Sequence, residues 1–461
     1  MLYSTPLPYA ADAGAYFAAI AELPWAIWLD SGGRARYDIL AAQPIKTLLT
    51  HGTQTIISDV LGQRSHTDDP FELLRKELPF SADALPDLPF SGGALGYWGY
   101  DLSRRWIDLP ACAPDTEHLP DMAVGIYDWS ILIDHQEKTA RLVSRLRAPE
   151  TLSQLPGILA RLQSEPAPRA EAFRIHAPPC GDFPRADYDA AFDKIHNYLI
   201  AGDCYQVNLT QRFTAQASGD ALDAYLTLRK ISPAPYSAFL NLPQVQILST
   251  SPERFLSLYN KEVETKPIKG TRPRGVDAAQ DEQLKTELLG NTKDRAENLM
   301  IVDLLRNDLS KSCLPGSVTV NKLFEIESYA NVHHLVSTIT GKLQPGKDAL
   351  ALLQNCFPGG SITGAPKKRA MEIIEQLETQ RRGIYCGSIG YIGWDGNMDT
   401  NIAIRTMIYT RGEIHFSVGG GIVADSDCDA EYRETLDKAA AMFQFAMRYT
   451  PESARSTPPY K

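Results

Sequence analysis

The stretch Ile402–Val423, IAIRTMIYTRGEIHFSVGGGIV, decides the fold class. Two strand-like runs, Ile402–Tyr409 and Glu413–Val418, follow one another with no helix between them. Cys386–Gly393 precedes them as a third run, and Tyr236–Leu242 and Val245–Ser249 form an earlier group. Helix-like segments come in separate blocks. One is Tyr188–Ala201, closed by Gly202-Asp203; one is Lys293–Asp308; the longest runs from Asp429, read as its N-cap, to Tyr449. Strands that cluster between helices without regular βαβ alternation predict an α+β fold with large antiparallel sheets.

Residues 1–150 alternate short β-like runs with turns, and Val124–Asp134 with Ala140–Leu146 reads as a hairpin. The chain then turns Pro-rich and polar around one helical stretch, Thr151–Gln163. The expected division is therefore an N-terminal region 1–150, a connection 151–185, a second domain 186–449 and a frayed tail 450–461.

The composition is globular, with 44% hydrophobic and 22% charged residues in 461. A net charge of −10 argues against nucleic-acid or anionic-membrane partners, which need basic patches. It leaves room for a small anionic substrate in a locally positive pocket. Seven cysteines without CxxC spacing fit a reducing cytosol and offer no zinc site. The opening MLYSTPLPYAADAG lacks the pattern of a signal peptide, and the apolar stretch Phe17–Leu29 is broken by Glu22 and Pro24.

Four features carry candidate chemistry. Glu431, Glu434 and Lys438 share one face of the last helix, opposite Ala439, Met442, Phe443 and Ala446; such a stripe is also what a solvated face carries. In KDRAENLMIVDLLRND (293–308), Glu297 enters an apolar run, where either a divalent cation or the helix dipole would offset its charge. Gly419-Gly420-Gly421 follows a strand and can present converging amides to an anion, or simply make a tight turn. The other glycine-rich segment, FPGGSITGAPKK (357–368), is not a phosphate loop of the GxxxxGK[ST] kind. Lys269 lies in KPIKGTRP (266–273), a segment stiffened by proline; desolvated, it becomes a nucleophile, and exposed, it is an ordinary surface lysine.

Taken together, SPERF (251–255), PIKGT (267–271), DRAEN (294–298), VDLLRNDL (302–309), HLVS (334–337), GSITGAPKKRAMEII (360–374), IAIRT (402–406), GGGIV (419–423) and AEYRETLDKA (430–439) resemble, in order, the chorismate-utilising enzymes. The resemblance covers nearly all of 186–447. It implies a two-layered core of antiparallel sheets with helices outside. It also implies magnesium held by Glu297 and Glu434, with Glu431 and Asp294 close by. Arg405, Lys438 and the Gly419, Gly420 and Gly421 amides match positions that bind substrate carboxylates. His334, Thr363 and Tyr385 match pocket residues, Gln206 and Thr271 are expected to bind substrate with them, and Glu253 matches the general acid/base.

Two positions choose the branch. Water-adding members place a lysine where this chain has Gln206. PIKGT, rather than PIAGT, resembles the aminodeoxychorismate-forming branch, in which the lysine attacks C2 of chorismate and ammonia then displaces it at C4. The product would be 4-amino-4-deoxychorismate, precursor of 4-aminobenzoate and folate. No cysteine lies in a GxCxG elbow, since Cys204 sits in GDCYQ and Cys386 in IYCGS, so a separate glutamine amidotransferase subunit is implied as partner. The alternatives are anthranilate synthase component I and a non-catalytic tryptophan-binding homologue; the intact acids Glu253, Glu297, Glu431 and Glu434 argue against the second. Ser31, Arg36, Tyr37, Asp38, Pro235, Tyr236 and Ser237 fall where relatives hold L-tryptophan. Leu29-Asp30-Ser31 differs from the Leu-Glu-Ser signature of feedback-inhibited anthranilate synthases by Asp for Glu.

Overall fold

The computed structural model describes residues 2–81, 85, 88–164, 171–329 and 332–454. Most of the tail, 455–461, lies outside them, as does 165–170 in the Pro-rich connection. Two sheets, of 13 and 12 strands among the described residues, face each other with their neighbouring strands antiparallel. This is the α+β, two-layered arrangement expected. Both sheets draw strands from both halves of the chain. In the first, Ala26–Asp30 pairs with Tyr236–Asn241; in the second, Gly93–Trp98 pairs with Ser388–Gly393.

Apolar residues of the two inner faces meet in one layer, among them Ile27, Leu95, Tyr97, Ile247 and Ile389. Helices Pro70–Glu77, Thr292–Ser310 and Ala349–Cys356 cover the outer face of the second sheet. Helices Gly14–Ile20, Ala221–Ile231 and Cys428–Tyr449 cover that of the first. Among the described residues no helix is long and apolar enough to cross a membrane.

Four local expectations change. The run Val124–Asp134 is two strands, Met122–Tyr127 and Trp129–Asp134, which enter different sheets. Both are buried along their whole length, so the sequence stays apolar across the break at Asp128, whose carboxylate instead accepts the Ala148 amide at 3.0 Å. The run Ile402–Tyr409 becomes strand only from Thr406, in Thr406–Thr410, after Arg405 takes a left-handed φ of +49°. The three glycines lie inside the strand Glu413–Ile422 rather than after it. The last helix is capped two residues earlier, by Asp427, whose side chain accepts from the Ala430 amide.

That last helix is anchored by aromatic packing. Phe443 meets Phe213 and Phe416 edge-on, with centroids 4.9 and 5.3 Å away, and those two rings stack at 5.5 Å. The anchor fixes the helix on the strand pair Gln206–Ser218 and Glu413–Ile422, which carries the three glycines. Phe443→Ala should therefore cost about 3–5 kcal/mol of stability in equilibrium urea unfolding. A cost near zero would show that the helix is held elsewhere.

Candidate active site

Lys269 owes its direction to a β-bulge. Ile268–Pro273 is an edge strand paired with Val332–Lys342. Ile268 faces Val336 but Thr271 faces His334, so three steps on one strand match two on the other. Gly270 makes the bend at φ +79°; a Cβ there would lie 2.9 Å from Leu288 and 3.0 Å from Asp294. The bulge turns Lys269 inward, leaving 12% of its side chain exposed, with Nζ 4.0 Å from a Glu297 carboxylate oxygen. Burial lowers the proton affinity of this amine, and Lys438 adds to the effect, while Glu297, Glu253 and Glu434 oppose it.

Glu253 occupies the point where the chain passes from one sheet to the other, between the strands Gln246–Ser251 and Arg254–Tyr259. It is buried, and burial pushes its carboxyl up to about 7 against hydrogen bonds from Ser361 and the Ile268 amide and the attraction of Lys269 and Lys438. The next side chain, Arg254, is committed elsewhere, to Asp399 at 2.9 Å and Glu264 at 2.7 Å.

Helix Thr292–Ser310 supplies Glu297, and helix Cys428–Tyr449 supplies Glu431, Glu434 and Lys438. The polar stripe of the last helix is split: Glu431 is 3% exposed, whereas the Glu434 and Lys438 side chains are 54% and 42% exposed. It accepts Lys293 Nζ at 3.0 Å and the Ser426 hydroxyl at 2.6 Å. Glu434 pairs with Lys438 at 2.8 Å. Burial works against ionisation of Glu434, but Lys438, with Lys293 and Lys269, outweighs it and holds the carboxyl below its ordinary value. Glu297 goes the other way, pushed up by burial and by Glu431 and Glu434. Asp294 sits beside this group, paired with Arg272 at 3.3 Å. Lys293 and Ser361 are the residues sequence reasoning missed. Both lie inside quoted motifs, but nothing in spacing told them from ordinary polar positions.

Among the described residues no group of three or more His, Cys, Asp or Glu is drawn up as a metal cage. The donor set nevertheless suits magnesium. Glu297, Glu431 and Glu434 are hard oxygen donors, and the latter two lie close enough to disfavour the charge of Glu297. Lys269, Lys293 and Lys438 neutralise them.

The other side of the cleft is built from backbone and one arginine. Lys438 Nζ reaches the Gly419 carbonyl at 3.3 Å. Thr210 and Asn208, opposite Gly419 and Gly421, turn their amides away, to Glu378 and Thr363. Alternation along a strand then puts the Gly419 and Gly421 amides on the edge facing Lys438, and Gly420 against the neighbouring strand. The Gln206 amide packs against Gly421, where a Cβ would come within 3.0 Å, and finds no hydrogen-bond partner among the described residues. Arg405 is largely buried, and burial lowers its proton affinity. His334 accepts or donates a 2.8 Å hydrogen bond with Thr271. Burial, with Arg405 nearby, pushes its imidazole down to about 3, so the ring is neutral. Thr363 is buried with its hydroxyl on the Gly359 carbonyl, and Tyr385 lies in the apolar cluster with Phe255 and Ile402 behind the site.

A separate cavity of about 460 Å³ lies between the sheets. Arg36, Tyr37, Pro235, Tyr236 and Ser237 line it, with Asp30 and Tyr391. Ser31 sits outside the lining, its amide held by Asp38 at 2.6 Å. The Asp30 carboxylate is engaged by Arg229 at 2.6 Å and Tyr225 at 2.8 Å.

A family model described as chorismate binding enzyme matches residues 25–444. The chain belongs to the chorismate-binding enzymes. It is 49% identical over 431 residues to aminodeoxychorismate synthase component 1 of Escherichia coli (strain K12), covering 92% of this chain and 93% of that one. It is 36% identical to anthranilate synthase component 1 of Pseudomonas aeruginosa, covering 93% and 91%. Among solved structures, anthranilate synthase component I from Streptococcus pneumoniae TIGR4 superposes with a TM-score of 0.80 at 33% identity, covering 89% and 92%.

For a chorismate-binding enzyme, an arginine buried with no acid beside it is a ready receptor for a substrate carboxylate. Arg405→Ala should weaken chorismate binding by roughly 30-fold or more, the loss of about 2–5 kcal/mol expected when one partner of a desolvated charge pair is removed. Titration calorimetry reads this directly; an unchanged Kd would place the carboxylate elsewhere.

Proposed function

We propose that the chain converts chorismate and ammonia to 4-amino-4-deoxychorismate. The observation that carries the reading is Lys269, aimed by its bulge into a water-poor cleft beside Glu297 and Glu253. An amine so placed is the nucleophile the reaction needs. The name of the Escherichia coli relative supports the same assignment.

In the first displacement Lys269 Nζ bonds to C2 of the ring. The electron pair moves along the ring diene and the C4–O bond breaks. Glu253, whose raised proton affinity suits it to the task, gives its proton to the departing hydroxyl, which leaves as water. In the second displacement ammonia bonds to C4, the electrons return, and the C2–N bond to Lys269 breaks. Glu253 recovers a proton from the new ammonium group. The sum is chorismate plus ammonia giving aminodeoxychorismate plus water, with the pyruvyl ether untouched. Arg405, Lys438 and the Gly419 and Gly421 amides orient the two carboxylates, and neutral His334, held by Thr271, faces the cleft without adding charge. Glu297 and Glu434, with Glu431, would hold magnesium, which when bound neutralises the ring carboxylate and the charge that develops as the hydroxyl leaves.

The reading extends to three further features. Ammonia comes from a glutamine amidotransferase subunit. The cavity lined by Arg36, Tyr37 and Tyr236 takes L-tryptophan. Seven unpaired thiols suit a reducing, cytoplasmic setting.

With chorismate, magnesium and an ammonium salt the chain alone should form aminodeoxychorismate, and glutamine should serve only once the amidotransferase is added. Without ammonia, mass spectrometry of the digested protein should find Lys269 carrying chorismate less one water. Lys269→Ala should lose turnover while keeping chorismate affinity. Anthranilate as the main product would instead move the chain to the anthranilate-forming branch.

Metal removal gives an independent check. EDTA should abolish turnover and excess magnesium restore it. Glu297→Ala and Glu434→Ala should each lower activity by at least about 100-fold, since each removes both a ligand and a compensating charge. Full activity in EDTA would refute the carboxylate assignment.

A further inference from the structure

We propose that Asn298 is a positioning residue: its hydrogen bond with Ser337 sets helix Thr292–Ser310 on the sheet so that Glu297, the preceding residue, stands against Lys269. The inference rests on the roles given above to Lys269 and Glu297. The buried stripe of this helix is Asn298, Ile301, Val302, Leu305, Asp308 and Leu309. Apolar contacts have no direction, so the aliphatic side chains stay buried when the helix turns or slides a little. The two polar members supply the direction. Asp308 fixes the far end, through Lys367 at 2.7 Å and Lys311 at 2.9 Å. Asn298 lies about 15 Å earlier along the axis, at the end that carries Glu297.

The Asn298 Oδ1 accepts the Ser337 hydroxyl at 2.5 Å, and both residues are fully buried. Ser337 is a junction. Its oxygen accepts the Phe324 amide at 3.2 Å, where the strand Thr319–Ser328 passes through a left-handed φ of +59°. Its own amide donates to the Pro267 carbonyl at 3.3 Å. Pro267 separates the strands Glu262–Thr265 and Ile268–Pro273, both paired with Val332–Lys342. One buried bond therefore links the helix turn beside Glu297 to the bend that starts the Lys269 strand, and the two charged groups end 4.0 Å apart. The other ties at this end of the helix, Lys293 to Glu431 and Arg272 to Asp294, use long, partly exposed side chains.

The Asn298 Nδ2 has no hydrogen-bond partner among the described residues, so this amide stabilises the fold less than an apolar side chain would. A buried amide in an apolar seam that gives up stability to fix register is the device used in coiled coils.

A carbodiimide reads the Lys269–Glu297 geometry directly. It activates the Glu297 carboxyl, the Lys269 amine displaces the urea, and an amide forms with net loss of one water. Peptide mapping of the metal-free chain measures its yield. Asn298→Leu should lower that yield at least about fivefold, and lower kcat about 10- to 100-fold at saturating magnesium with KM for chorismate within about threefold. Its Tm should stay within about 3 °C of the wild-type value or rise. Ser337→Ala should do the same, and the double variant should fall no further than either single one. Loss of the crosslink in both variants at unchanged Tm supports the assignment. A normal crosslink in either variant overturns it, whatever kcat does, and if Asn298→Leu does not fold, Ser337→Ala decides. The crosslink needs neither metal nor turnover, so a failure here is separable from a failure of the proposed reaction.

Discussion

Charge balance in one partly buried cleft is the constraint on which the rest depends. Glu253, Glu297, Glu431 and Glu434 converge there with Lys269, Lys293 and Lys438. Two unit charges 4 Å apart interact by about 4 kcal/mol at the dielectric typical of such sites. Each proton affinity is therefore set by its neighbours as much as by its own chemistry. The outcomes diverge usefully. Glu253 keeps its proton near neutrality because burial exceeds what two lysines and two donors return. Glu434, with Lys438 on the same helix face, gives its proton up more readily than an ordinary glutamate. Two carboxyls of one cleft thereby differ in proton affinity in opposite directions.

The sandwich exists to bring these groups together from distant places in the chain. Glu253 arrives where the chain changes sheets, Lys269 from an edge strand of the second sheet, and the glycines from the first. The acids come from two helices that cover opposite outer faces. No single sheet or helix could hold all of them. This explains why irregularities sit at the functional positions. The bulge at Lys269-Gly270, the left-handed Arg405 and the glycines where a Cβ would collide all depart from regular backbone. Each aims a group that regular geometry would aim elsewhere.

Fold class was legible because antiparallel strands leave apolar runs without intervening helices, as at 402–423. What was not legible follows from burial on both faces. Between Met122 and Asp134 the strands alternate no polarity, so the break at Asp128 and the change of sheet leave no periodic signal. The glycines read as a turn, because sequence alone does not reveal that a neighbouring strand passes too close for side chains. In the site, motif order identified Glu297, Glu431 and Glu434. Glu431 shows the limit of periodicity: its helix position is that of a solvated stripe, yet Lys293 and Ser426 bury it. Only the packing of a second helix, distant in sequence, changes its meaning.

Gln206 carries the argument about reaction choice one step further. Its amide is buried with neither end satisfied inside the described protein, a costly state unless a ligand or solvent completes it. A lysine here could draw a proton from water and turn it into an attacking group; a neutral amide takes up no proton in the accessible pH range. Donor and acceptor at one end of the cleft thus hold without activating, while the buried Lys269 amine comes from the bulge on the opposite sheet. Selectivity against water then has two parts. The cleft leaves water without a base at Gln206, and it places the Lys269 amine on an edge strand beside Glu297. Ammonia needs no such base, because its lone pair is free once the proton is gone. The same arrangement that withholds help from water therefore costs ammonia nothing.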